Sequence, residues 1–150
     1  MKKYSWIVCL FLILCLCGCS TKEAFEERTS IYALIINPQT FDGERVTVRG
    51  ALFIDGNEDV ALYATTDDGK YMVQLNALWL GKIKDISNYT EEQLRGWDGC
   101  YVEVNGTINA KAQGPRNAYN CNLEKIRSIQ KMEKKNEIPK HGPLPTEWIP

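Results

Sequence analysis

Histidine is almost missing from this chain: His141 is the only one, and it lies in a proline-rich C-terminal stretch. A His-based nucleophilic triad and a multi-histidine zinc site are therefore excluded. A phosphate-binding loop of the form G-x-x-x-x-G-K-[ST] is also lacking, which removes the usual nucleotide-hydrolysing machinery. Cysteine is scarce beyond the start, because Cys9, Cys15, Cys17 and Cys19 leave only Cys100 and Cys121 downstream. No excess of one charge exists, since 18 Lys+Arg face 19 Asp+Glu. Without a basic surplus the electrostatic footprint of a nucleic-acid binder is missing, so no nucleic acid is expected as a partner. Metal chemistry has one weak lead. Asp55, Asn57 and Asp59 have the opening spacing of a calcium loop, but Val60 replaces the turn glycine and Thr66 the bidentate Glu. A polar hairpin turn is expected there instead, with no metal and no cofactor.

What the chain does have is an N-terminal address. Lys2 and Lys3 precede an unbroken apolar stretch from Trp6 to Leu16; the run ends at Gly18, and a polar stretch begins at Ser20. This is the layout of a secretory signal, and it is short of the roughly 20 residues of a spanning helix. The closing Leu16-Cys17-Gly18-Cys19 resembles the lipobox of bacterial lipoproteins, with Leu and Gly in place and a less typical Cys17 between them. The resemblance implies cleavage before Cys19 and acylation of its thiol, with palmitate-like chains on a mature N-terminus. Two or more chains anchor a protein stably, so the membrane is an expected partner through Cys19. The expected location is the bacterial cell envelope, and Ser20 after the acceptor fits the periplasmic face of the outer membrane in a Gram-negative cell. Losing Lys2 and Lys3 with residues 1–18 leaves 16 basic and 19 acidic side chains, a formal charge of −3.

Residues 19–28 are charged and lack a core face, so they read as a tether. The barrel-forming domain is expected over 29–132 and a proline-rich tail over 133–150. Ile31, Leu34 and Ile35 have helical spacing that Pro38 should end. Val46, Val48, Leu52 and Ile54 then alternate with Arg45, Thr47, Arg49 and Phe53 as a strand, and the interior Gly50 predicts a bulge or sharp bend, as where a strand curls to serve two sides of a barrel. Asp55-Gly56-Asn57 turns into a second strand over 60–65, and Asp67-Asp68-Gly69 into a third over 71–75. Thr90-Glu91-Glu92-Gln93 is a capping box opening a short helix near 91–96. A fourth strand starts at Cys100. The last carries Tyr119, Cys121 and Leu123 on one parity and Ile126 on the other, which predicts a bulge between Leu123 and Ile126. In an oxidising envelope Cys100 and Cys121 are a disulfide candidate.

Three meander strands, a helix and two more strands is the order of an OB-fold, so an all-β, five-stranded OB-like barrel with short helices is expected. The elements Asn37-Pro38, Phe41-Asp42-Gly43, Val46-x-Val48-x-Gly50, Ala61-Leu62-Tyr63, Asn76-Ala77-Leu78-Trp79-Leu80 and Gly106-Thr107-Ile108-Asn109-Ala110 resemble a group of uncharacterised bacterial OB-like barrel proteins. That resemblance covers about residues 30–130 and implies the fold, with no activity to carry over. OB barrels bind across the surface of their second and third strands, which nominates Arg49, Tyr63, Tyr71, Trp79, Tyr101 and Tyr119 as a binding face. The expected function is non-enzymatic binding of an envelope protein or other envelope component. A small-ligand or saccharide site is the alternative, and an enzyme or enzyme inhibitor, with paired carboxylates among Glu58, Asp59, Asp67 and Asp68, comes last.

Overall fold

A computed structural model describes residues 28–133; the segment that resembles a lipobox, with Cys19, the expected tether through Glu27 and the expected tail from residue 134, including His141, lie outside the described residues. A short strand β1 (Arg28–Thr29) leads into helix α1 (Ile31–Ile36), which ends before the 3-10 turn Pro38–Phe41. Pro38 lacks the N–H that would continue the helix. Strands β2 (Arg45–Ile54) and β3 (Asp59–Tyr63), helix α2 (Thr66–Lys70) and strand β4 (Ala77–Lys82) follow. Helix α3 (Glu91–Arg95) and strands β5 (Tyr101–Asn109) and β6 (Asn122–Lys131) complete the described chain.

The strands run in the order β1-β2-β3-β4-β6-β5, and β5 returns to pair with β2. The five strands β2 to β6 thus close into the OB-like barrel, with β1 added in parallel beside β2. Closure depends on β2 changing partners, because it pairs with β5 over Arg45–Ala51 and with β3 over Ala51–Ile54. Gly50 sits at that handover. A Cβ there would lie 2.6 Å from the Tyr63 carbonyl oxygen and 2.7 Å from Leu62 Cγ, so only glycine lets β3 approach so closely. On the other side, β4 meets β6 in parallel at Trp79 and Asn122.

Alternating side chains fill the barrel with Val46, Val48, Leu52, Leu62, Leu78, Val102, Val104, Ile108 and Leu123. Leu94 of α3 joins them, completely buried. The capping box forms as the sequence requires, with the Thr90 side chain accepting from the Gln93 N–H and the Gln93 side chain accepting from the Thr90 N–H.

Three expectations meet the structure differently. The bulge in the last strand forms: Asn105 pairs with Ser128 while Thr107 pairs with Glu124, and Lys125 has φ 49°. The strand expected over 71–75 does not. Thr65 caps a helix by accepting from the Asp68 N–H at 3.0 Å. The Asp67-Asp68-Gly69 segment therefore coils instead of turning a hairpin, and the third barrel strand starts at Ala77. The disulfide also fails, because Cys100 and Cys121 are both free thiols. The register gives the reason. Val102 lies opposite Lys131 and Asn109 opposite Asn122, so the two cysteines flank opposite ends of the β5–β6 hairpin. Cys100 lies about ten positions from the level of Cys121, roughly 33 Å along the strand at about 3.3 Å per residue, far beyond the ~7 Å Cα limit of a disulfide.

Candidate functional site

The six residues nominated as one binding face divide among three places. Tyr63 and Tyr119 are buried and form a second small core with Ala61 and Ala77, against which Phe53, Trp79 and Ala118 pack. Phe53 meets Tyr63 edge-on, with ring centroids 5.7 Å apart. Burial pushes both phenols upward in pKa, and the Tyr63 hydroxyl donates to Met72 Sδ at 3.9 Å. This cluster is on the face of β3 and β4 that looks away from the barrel core, because the alternate residues Val60, Leu62 and Leu78 point inward.

The loop between β5 and β6 covers it. Gly114 in that loop has φ 62°, and a Cβ on it would stand 2.6 Å from Tyr119 Cδ2 and 3.0 Å from Trp79 Cγ. The backbone therefore lies directly on the rings. The surface that OB barrels ordinarily offer to ligands is here occupied by the protein's own loop, which corrects the expected aromatic binding face. Arg49 and Tyr101 are elsewhere, on β2 and β5. Arg49 Nε is 2.7 Å from Glu103 Oε2, and Arg28 Nε is 3.1 Å from the same oxygen, which fastens β1 to β5 across β2. Tyr101 is partly exposed, and Tyr71 projects from the turn after α2 with 81% of its surface accessible.

What remains open beside the covered face is a polar cleft of about 410 Å³. It is lined by Asp55 and Asn57 of the β2–β3 turn, Asp59 at the start of β3, Gln74, Lys82, and Pro115, Arg116 and Ala118 of the β5–β6 loop. Asp55 Oδ1 accepts from the backbone N–H of Asn57 at 2.8 Å and of Asp59 at 2.9 Å. The sequence pattern that opens a calcium loop is thus used to close a hairpin turn. Asp59 is buried and satisfied: Oδ1 accepts from Trp79 Nε1 at 3.1 Å and lies 3.0 Å from Lys82 Nζ. Lys82 Nζ also donates to the Asn57 carbonyl at 2.7 Å.

Unusual backbone occurs at one lining residue of this cleft, Arg116, and beside others. Five non-glycine residues among those described have positive φ, and Glu58, Arg116 and Asn117 are three of them. Met72, two residues from Gln74, is a fourth. The carboxylates expected to converge for acid–base chemistry have separate partners. Asp68 accepts from Thr65 Oγ1 and Asn76 Nδ2, which holds its pKa below the usual carboxylate range, and Asp67 pairs with Lys70.

Sequence reasoning missed Gln74 and Arg116, which no periodicity marks. It also missed an apolar surface on α1 and the turn after α2. The signal for that surface was present, since Ile31-Tyr32-Ala33-Leu34-Ile35-Ile36 and Tyr71-Met72-Val73 carry more apolar residues than one buried face can hold.

No protein-family model matches the chain, and no curated protein matches it. Solved structures similar to it include a DUF3299 family protein from Pseudomonas aeruginosa PAO1, at 11% identity and TM-score 0.42, over 64% of this chain and 66% of that one. The hypothetical protein ygiW from E. coli is similar at 14% identity and TM-score 0.42, over 71% of this chain and 90% of that one. A putative aspartyl-tRNA synthetase from Leishmania major Friedlin shows 12% identity and TM-score 0.43, over 79% of this chain and 23% of that one. The chain's own topology makes it an all-β, OB-like barrel, and its structural neighbours include small uncharacterised proteins.

Proposed function

We propose that this protein is a non-enzymatic, lipid-anchored component of the bacterial cell envelope. Acyl chains on Cys19 hold it at a membrane, the periplasmic face of the outer membrane in a Gram-negative cell. Its barrel binds an envelope protein or glycan in the cleft between the β2–β3 turn and the β5–β6 loop. The observation that carries the reading is the left-handed backbone of Arg116, which lines the cleft, and of Glu58 and Asn117, each next in sequence to lining residues. Each such residue costs about 1–3 kcal/mol, and strain of this kind collects at ligand sites. The four charges lining the cleft, Asp55, Asp59, Lys82 and Arg116, cancel, which suits a neutral polar ligand better than a polyanion. A binding role is further supported by the local partners that Asp59, Asp67 and Asp68 each already hold, which favours binding over acid–base work.

The test is a photoreactive amino acid at position 116 in intact cells. One discrete protein or glycan adduct is expected, reduced at least about fivefold by an Asn57→Ala/Gln74→Ala double variant, since truncating central contact residues costs 1 kcal/mol or more. An adduct that the double variant leaves unchanged, or none at all, rejects the cleft as the binding site.

A further inference from the structure

Six of the seven large apolar side chains exposed among the described residues fall on two short segments. Tyr32 and Ile36 are on α1, and Tyr71, Met72, Val73 and Leu75 are in the turn between α2 and β4. The segments adjoin, because α1 packs against the Gln74–Asn76 turn. All six residues of α1 are apolar, yet only Ile31 and Leu34 are buried. A helix apolar on every side belongs inside a core or in lipid, and here two of its six side chains, Tyr32 and Ile36, are exposed. Tyr32 and Ile36, four residues apart, share one outward face; Ile36 is 81% exposed and Leu75 63%.

The chain leading into α1 identifies what covers this surface. Arg28 is nine positions after Cys19, a span of at most about 32 Å fully extended, and α1 starts three residues after Arg28. If Cys19 is acylated, the patch is held within one tether length of the bilayer. Neither segment contains a charged residue, so laying it against an apolar phase desolvates no ion. Its two tyrosines combine an apolar ring with a polar hydroxyl, the combination enriched where hydrocarbon meets headgroups.

We propose that the surface formed by α1 and the Tyr71–Leu75 turn is a membrane-docking face, with the headgroup region of the anchoring bilayer as its occupant. This rests on the lipid anchor of the proposed function and extends it, because the barrel then lies on the membrane instead of standing off it. Gln74 lines the cleft while its neighbours Val73 and Leu75 belong to the patch. The cleft therefore opens beside the bilayer surface, where a ligand from the membrane-proximal layer reaches it first.

The experiment uses the full chain in cells, with p-benzoylphenylalanine placed singly at Ile36, Tyr71 or Tyr101, and palmitate labelling read on the same samples. After irradiation, phospholipid adducts are expected from positions 36 and 71 and not from 101. A Leu75→Glu substitution, at an exposed site the fold does not need, should cut the adduct at 71 at least about fivefold by setting a charge in the interface. A discrete protein adduct at 36 and 71 would overturn the inference by naming a protein as the occupant. Palmitate-labelled chain with no adduct would also overturn it while leaving the anchor standing. Chain without palmitate would show that the anchor itself fails, and the docking face with it.

Discussion

Replacing Gly50 with alanine tests the closure of the barrel at its tightest point. The added methyl would stand 2.6 Å from the Tyr63 carbonyl oxygen, 2.7 Å from Leu62 Cγ and 3.1 Å from Ile31 Cδ1. Leu62 and Ile31 can shift by changing rotamer. The Tyr63 carbonyl cannot move without disturbing the β2–β3 register, where Ala51 faces Tyr63. Overpacking of this kind costs about 2 kcal/mol, within the 1–3 kcal/mol typical of inserted methyl groups. For a domain of this size that corresponds to a fall of roughly 10 °C in melting temperature. Gly56 is the control, since a Cβ there meets nothing within 4 Å, and Gly56→Ala should stay within about 0.5 kcal/mol of the parent. Urea unfolding followed by tryptophan fluorescence measures both, with Trp79 and Trp97 as reporters inside the domain. A Gly50→Ala protein as stable as the Gly56→Ala control would refute the claim that β2 bends there to serve both β5 and β3.

Other outcomes follow from named contacts. Intact mass under non-reducing conditions should count two free thiols in the barrel, and a mass lower by two hydrogen atoms would contradict the separation of Cys100 and Cys121. Burial pushes the Cys121 thiol up to about 11, so at pH 8 a maleimide should label Cys100 while Cys121 reacts only after unfolding. The same shift sets a pH dependence: the unfolded Cys121 thiol ionises from 9.0 while the folded one keeps its proton to about 11. The unfolded state then binds fewer protons across that interval, so stability should be level below pH 9 and fall between pH 9 and 11. Tyr63 and Tyr119, raised in the same direction, extend the fall beyond pH 10. Denaturation midpoints at pH 7, 9 and 11 check it, and a Cys121→Ala variant should move the onset from about pH 9 to about pH 10. Lys82→Ala should cost about 1–3 kcal/mol by removing a charged partner from the buried Asp59; a change within error on urea unfolding would mean that Trp79 alone satisfies that carboxylate.

The barrel was legible where local chemistry and global fold agree. The period-two pattern of β2 and β5, the Gly50 bend, the Thr90–Gln93 capping box and the parity change after Leu123 each carry their reason in the residues themselves. The third strand was misplaced because Tyr71-Met72-Val73 looks like strand core. The Thr65 hydroxyl capping α2 and the exposure of that run become evident only once Ala77–Lys82 is paired with β3. Parity put Cys100 and Cys121 on the apolar side but is silent about register, and register keeps them a hairpin apart. The nomination of Tyr63, Trp79 and Tyr119 as a binding face likewise carried no sign that a loop bearing Gly114 would cover them. The candidate cleft joins the ends of two loops about 60 residues apart in sequence, a juxtaposition that no local pattern encodes.

The central claim is that an acylated cysteine ties this OB-like barrel to the cell envelope. Intact-mass measurement of the mature chain from the membrane fraction tests it most directly. The account predicts a chain that begins at Cys19 and carries a diacylglyceryl group, and a Cys19→Ala variant without that modification. A soluble mature chain that begins elsewhere, or a membrane-fraction chain with no lipid on Cys19, would contradict it.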